Sequence, residues 1–164
     1  MTVKRLTSLS IAVALAMVLS FIESLIPPLV AVPGVKIGLA NIVTVFILYV
    51  FSWRDAGAVS LIRVLLSSLL FGSAVSLAYS LSGAALSFLG MLALKKLPFS
   101  SEVSVSIVGG VLHNAGQIIA ACIIMENAAI IGYLPPLIIS GTLAGIAVGT
   151  LAALLVKKLK GVIK

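Results

Sequence analysis

Acidic residues are scarce: Asp55 is the only aspartate, and Asp and Glu together number 4 in 164 residues. No aspartate-rich pair can therefore hold Mg²⁺ on a diphosphate. Histidine is scarcer still, and His113 has no acid near it in sequence, so a His-centred metal site would have to recruit distant ligands. Cys122 is the sole cysteine, which excludes an intramolecular disulfide and a thiolate metal cluster. It lies in an apolar run and reads most simply as a small packing residue. A G-x-x-x-x-G-K-[ST] phosphate loop is lacking, so the chain does not itself hydrolyse ATP. Serines are many, yet none forms a recognisable nucleophile–base pairing. These absences argue against an enzyme and imply neither a metal nor a cofactor.

What fills the chain is apolar. Hydrophobic residues make up 62% and charged residues 9%, with a mean hydropathy of +1.33. A soluble domain is about half apolar and about a quarter charged, so this is an integral membrane protein. The apolar runs are too long for barrel strands and do not alternate with period two, so the fold class is all-α. The length fits a single transmembrane domain over residues 1–164. The net charge of +7 would raise nucleic acid in a soluble protein. Here no aromatic–basic interleaving supports base stacking, and nucleic acid is not an expected partner.

The apolar pattern predicts a bundle of six transmembrane helices, at about Leu6–Ile26, Ile37–Phe51, Ala56–Phe71, Ala74–Leu94, Val103–Met125 and Leu134–Val156. The second is short and needs ordered loop residues to complete it. Pro27-Pro28 stop the first, and Pro135-Pro136 open the last, where proline is tolerated. Lys4 and Arg5 before the first apolar run resemble the start of a signal peptide, but the spans that follow favour a retained helix. With both termini cytoplasmic, the inner segments hold Lys4, Arg5, Arg54, Lys95, Lys96, Lys157, Lys158, Lys160 and Lys164, whereas the outer segments hold only Lys36. That bias is the positive-inside pattern of a multi-pass protein.

Polar residues inside such helices are expensive and mark function or internal pairing. Arg63 falls roughly 12 Å and His113 roughly 15 Å from the cytoplasmic ends of their helices at 1.5 Å per residue, near one level. His113 and Gln117 are spaced i, i+4 and share a face, with Asn114 offset beside them. One helix thus offers donors and acceptors and another a permanent cation, as a cavity for an anionic or polar substrate requires. The alternative is a structural network in which Arg63 caps carbonyls or pairs with Glu23. Arg63 can also snorkel to the cytoplasmic surface.

A second constellation is Pro33-Gly34-Val35-Lys36-Ile37-Gly38-Leu39-Ala40-Asn41. Lys36 and Asn41 would line a lid over a site open to the outside, or Lys36 would simply meet lipid headgroups. Small residues form a third feature. Gly141, Gly145 and Gly149 make a ladder suited to close helix contact within the protein. Ala12, Ala16 and Ser20 make a smooth stripe on the first helix, able to meet either a neighbouring helix or a partner membrane protein. Tyr79 is a further candidate near the polar level.

The lid constellation, together with Arg63-Val64-Leu65-Leu66, Leu70-Phe71-Gly72-Ser73, Tyr79-Ser80-Leu81-Ser82-Gly83 and Gly110-Val111-Leu112-His113-Asn114-Ala115-Gly116-Gln117, resembles the heptaprenyl diphosphate synthase component I family, also called the Gx transporter family. The resemblance covers about residues 1–155. That family is similar to the S components of energy-coupling factor importers of the bacterial cytoplasmic membrane. The resemblance implies a six-helix subunit that binds a small molecule from outside, joins a membrane coupling protein and a cytoplasmic ATPase pair, and topples to deliver it. It implies that Ala12 and Ala16 dock the coupling protein and that the first outward loop gates the pocket. The family's older name suggests a different role, a non-catalytic membrane subunit associated with a prenyl diphosphate synthase. It also suggests an isoprenoid or diphosphate-bearing substrate, met by Arg63 and Lys36. Arg63, His113, Asn114, Gln117, Lys36, Asn41 and Tyr79 are the expected substrate contacts. A third reading, a proton-coupled carrier using His113, is disfavoured because Glu23 and Glu126 are placed near outer helix ends.

Overall fold

The computed structural model describes residues 3–26 and 38–163 and is 88% helix, with no strand among the described residues. Among the described residues six α-helices follow one another: α1 (Val3–Ser24), α2 (Asn41–Val50), α3 (Trp53–Phe71), α4 (Ala74–Lys95), α5 (Glu102–Ile124) and α6 (Leu134–Ile163). A 3-10 turn, Ala128–Tyr133, precedes α6.

Local chemistry sets the boundaries. Ser52 accepts from the Asp55 backbone N–H at 3.2 Å while the Asp55 carboxylate accepts from the Ser52 backbone N–H at 3.1 Å. This reciprocal cap starts α3 at Trp53, earlier than the expected Ala56. Gly38 takes a φ of +89°, which ordinary side chains rarely adopt, and helix begins only at Asn41. The expected start at Ile37 lies outside the described residues, and α2 has 10 residues. At the other end of the chain, α6 runs beyond the expected Val156 through Lys157, Lys158 and Lys160. Lysine is a good helix former, and cations suit a helix C-terminus.

Among the described residues four helices are long and apolar enough to cross a membrane: α1, α4, α5 and α6. Only 28–44% of each span is buried inside the fold, so much of the apolar surface faces outward, as on Ile11, Leu15, Val18 and Ile22 of α1. This is a membrane protein with transmembrane helices. The six-span expectation thus divides: α2 is short, and α3 has 19 residues but carries Arg54, Asp55 and Arg63.

α5 packs between α4 and α6 at close range. A Cβ on Gly110 would lie 2.5 Å from the Gly141 carbonyl oxygen, and one on Gly116 would lie 2.6 Å from that of Ser82. Gly145 and Gly149 meet the backbone of Ile107 and Val103, so the glycine ladder serves contact within the molecule. α2 packs on α1, α3, α5 and α6 and is buried almost all round; Ala40, Val45 and Leu48 are fully buried.

The basic end of the bundle is tied by charge. Arg5 of α1 pairs with Asp55 of α3. Lys95 of α4 donates to the Leu48 carbonyl of α2 and lies 4.9 Å from the Tyr49 ring centroid. Burial pushes the Asp55 carboxyl up, but hydrogen bonds from Ser52 and Arg5 outweigh it and hold the group below the ordinary carboxylate range.

Candidate functional site

Beyond its first turn α3 buries Val59, Ser60, Arg63, Val64, Ser67 and Ser68, while Leu61, Ile62, Leu65, Leu66, Leu69 and Leu70 are exposed. The helix is thus inverted relative to a soluble one, with leucines outward and hydroxyls and a cation inward. Arg63 is only 6% exposed. It is therefore not snorkelling to a surface. Its Nε and Nη2 have no hydrogen-bond partner among the described groups, while Ser67 Oγ donates to its backbone carbonyl at 2.6 Å.

Arg63 stands within electrostatic reach of Glu23 on α1. Glu23 is 5% exposed, and its carboxylate accepts the Gly38 backbone N–H just ahead of α2. Glu23 keeps its place at the end of α1, one residue before Ser24, but is buried there. The small stripe explains the geometry. Ala12, Ala16, Ser20 and Glu23 recur at helical spacing and are all buried. The two alanines belong to the core formed with α2 and α3. Their small side chains let α1 approach closely enough to bring Glu23 inward. A partner seeking Ala12 or Ala16 meets that buried stripe in this arrangement.

Asn41 lies in the first turn of α2, is 7% exposed, and sits over Gly38, where an added Cβ would meet its Nδ2 at 3.1 Å. Lys36, and with it most of the expected lid, lies outside the described residues. Glu23, Gly38, Asn41 and Arg63 thus form one polar group on α1, α2 and α3.

A second polar group lies on α4, α5 and α6. Gly83 is the notch of α4 into which α5 presses: a Cβ there would meet His113 Cε1 at 3.1 Å and Gln117 Cγ at 2.9 Å. Both residues are buried, Gln117 fully. Asn114 turns instead to α6, donating through Nδ2 to the Leu137 carbonyl at 2.8 Å, with its Oδ1 unpartnered among the described groups. Tyr79, one turn before Gly83, is buried among Ile118, Ala121, Ile130 and Leu137. α2 packs on both α3 and α5, the helices that carry Arg63 and the His113–Gln117 patch. Among the described residues no cluster of three His, Cys, Asp or Glu side chains is placed to hold a metal ion.

The model of the heptaprenyl diphosphate synthase component I family matches residues 12–155. The chain belongs to this family. No curated protein and no solved structure matches it. As a member, the chain carries both polar groups inside the matched stretch, whereas Arg5 precedes it. The family name designates one component of a synthase, and a membrane subunit is what the helices provide.

Sequence reasoning singled out Arg63 and the His113–Gln117 patch but valued Glu23 only as a possible partner of Arg63. The signal for its burial was the continuation of the Ala12-Ala16-Ser20 stripe by one more turn.

Proposed function

We propose that this protein is the substrate-binding subunit of an energy-coupling factor type importer in the bacterial cytoplasmic membrane, capturing a small oxyanion-bearing molecule from outside. The observation that carries this reading is Arg63, a buried permanent cation with two nitrogens unpartnered among the described groups. Burying a charge without full pairing is costly, and in membrane helices such residues mark ligand pathways. A six-span topology with both termini inside follows the lysine and arginine bias. The 10 residues of α2 rise about 15 Å, half of a ~30 Å hydrocarbon core. Its N-terminal end then falls near the bilayer midplane beside Arg63, as with the interrupted helices that form substrate sites in transporters. Arg63 would meet the anion, with Asn41 and Lys36 from the side of the connecting segment. His113, Asn114, Gln117 and Tyr79 would line the α4–α5–α6 side. The coupling protein and ATPase pair would be the partners, and docking at Ala12 and Ala16 would require α1 to part from α2 and α3.

The family name favours a second reading: a non-catalytic membrane subunit of a prenyl diphosphate synthase. Both readings rest on the same kinship. Mass spectrometry of small molecules extracted from the purified protein tests the capture reading. A phosphorylated or carboxylated molecule present in the wild type and lost in Arg63→Met supports it. Retention of the same molecule at equal occupancy in Arg63→Met sinks the role given to Arg63.

A further inference from the structure

We propose that Glu23, Arg63 and the Gly38 N–H form an oxyanion site in which the Glu23 carboxylate is the resident, displaceable occupant. Three observations converge there. Arg63 is more than nine-tenths buried, and its Nε and Nη2 have no hydrogen-bond partner among the described groups. The Gly38 N–H, three residues ahead of α2, donates to a carboxylate rather than to a neutral carbonyl. That carboxylate is 5% exposed and is the group whose field reaches Arg63. A short helix presents partial positive charge at its N-terminus, and a guanidinium adds a full charge. Together they bind an anion, and in this state the anion is a side chain.

The arrangement has a consequence for ligand choice. A carboxylate or phosphoryl oxyanion that enters must take the Gly38 N–H from the Glu23 carboxylate and supply the negative charge that Glu23 now sets near Arg63. A neutral ligand gains nothing from that exchange, and a cation would have to face Arg63. Glu23 therefore sets a threshold that only a ligand with a strong oxyanion crosses. It also keeps Arg63 compensated while no ligand is bound. Gly38 suits the role because its φ of +89° directs the N–H to Glu23 and an added Cβ would press on Asn41 at 3.1 Å. The inference deepens the capture reading by naming the ligand chemistry. Recovery of partner proteins tests that reading separately, so either can fail alone.

The test uses the full chain purified in mild detergent, with inorganic diphosphate as probe and chloride at matched ionic strength as control. Glu23→Gln keeps an oxygen for the Gly38 N–H but removes the charge opposite Arg63. Its melting temperature is expected to fall by on the order of 10 °C, as for a buried charge that loses its partner. Millimolar diphosphate should restore most of that loss, and chloride should not. The variant should bind diphosphate about tenfold or more tightly than the wild type. Glu23→Gln/Arg63→Met should show no diphosphate effect. Loss of stability in Glu23→Gln without diphosphate rescue would overturn the proposal and leave a purely structural charge pair. Where Glu23→Gln does not accumulate while the double variant does, extraction in diphosphate decides. Recovery of the folded single variant supports the site, and failure to recover it refutes the site. Should the double variant also fail, direct titration of wild type and Arg63→Lys with diphosphate decides, since equal absence of binding in both overturns the proposal.

Discussion

At the residue scale the account rests on a few charges. Arg63 and Glu23 are both buried and within electrostatic reach of each other. Arg63→Met leaves a buried carboxylate and should cost about 3–5 kcal/mol of stability, whereas adding Glu23→Gln should return much of it. Unfolding of the four species in a double-mutant cycle measures that coupling, and additive losses would mean the two groups do not interact. Asp55 offers a separate check. Its folded pKa lies below the ordinary value because hydrogen bonds from Ser52 and Arg5 outweigh burial. A depressed carboxylate contributes stability above its unfolded pKa of about 3.9, and the contribution is lost as pH falls through the lower folded value. Asp55→Asn should therefore cost about 1 kcal/mol at neutral pH, mostly through the helix cap. The Arg5 side chain is 42% exposed, so solvent screens the ion pair. The difference from wild type should shrink below pH 4 or so; a gap that persists undiminished there would contradict the assignment.

At the scale of elements, small residues decide how close helices come. Gly110 meets the Gly141 carbonyl with no room for a methyl group. Gly110→Ala should push α5 and α6 apart and cost about 1–3 kcal/mol, read from thermal unfolding in detergent. Gly132→Ala, where nothing lies within 4 Å of the added atom, should change little and serves as the matched control. The glycine ladder was legible in the sequence because its spacing repeats along one face. The alanine stripe was legible as a stripe but not in its direction, since a smooth face fits an internal helix as well as an external partner. Only packing shows Ala12 and Ala16 against α2 and α3. α2 was harder still. Gly38 is of the type that permits a positive φ, and it adopts one, but residue type alone does not say that the helix is thereby delayed to Asn41. The burial of Glu23 was missed for a related reason: sequence position places a residue along its own helix, while helix tilt and neighbouring backbone decide what it meets.

At the scale of the whole molecule, composition alone identified a helical membrane protein, because so apolar a chain has no soluble solution. Motif order identified the family, and the match over residues 12–155 bears that out. The six-span topology is open to direct labelling. In a Cys122→Ser background, Ser100→Cys should react with an impermeant thiol reagent only from the cytoplasmic side and Asn127→Cys only from the outside. Labelling of both from one face would show that α5 does not cross and would refute the six-span topology. The buried polar residues on α1–α3 and on α4–α6 give the bundle a partly polar interior, which a mere membrane anchor does not need. Affinity purification of the native protein in mild detergent, with mass spectrometry of what remains bound, tests the central claim most directly. The capture-subunit account predicts a membrane coupling protein and two ATPases. Recovery of a prenyl diphosphate synthase without them would contradict it and make this protein that enzyme's membrane component.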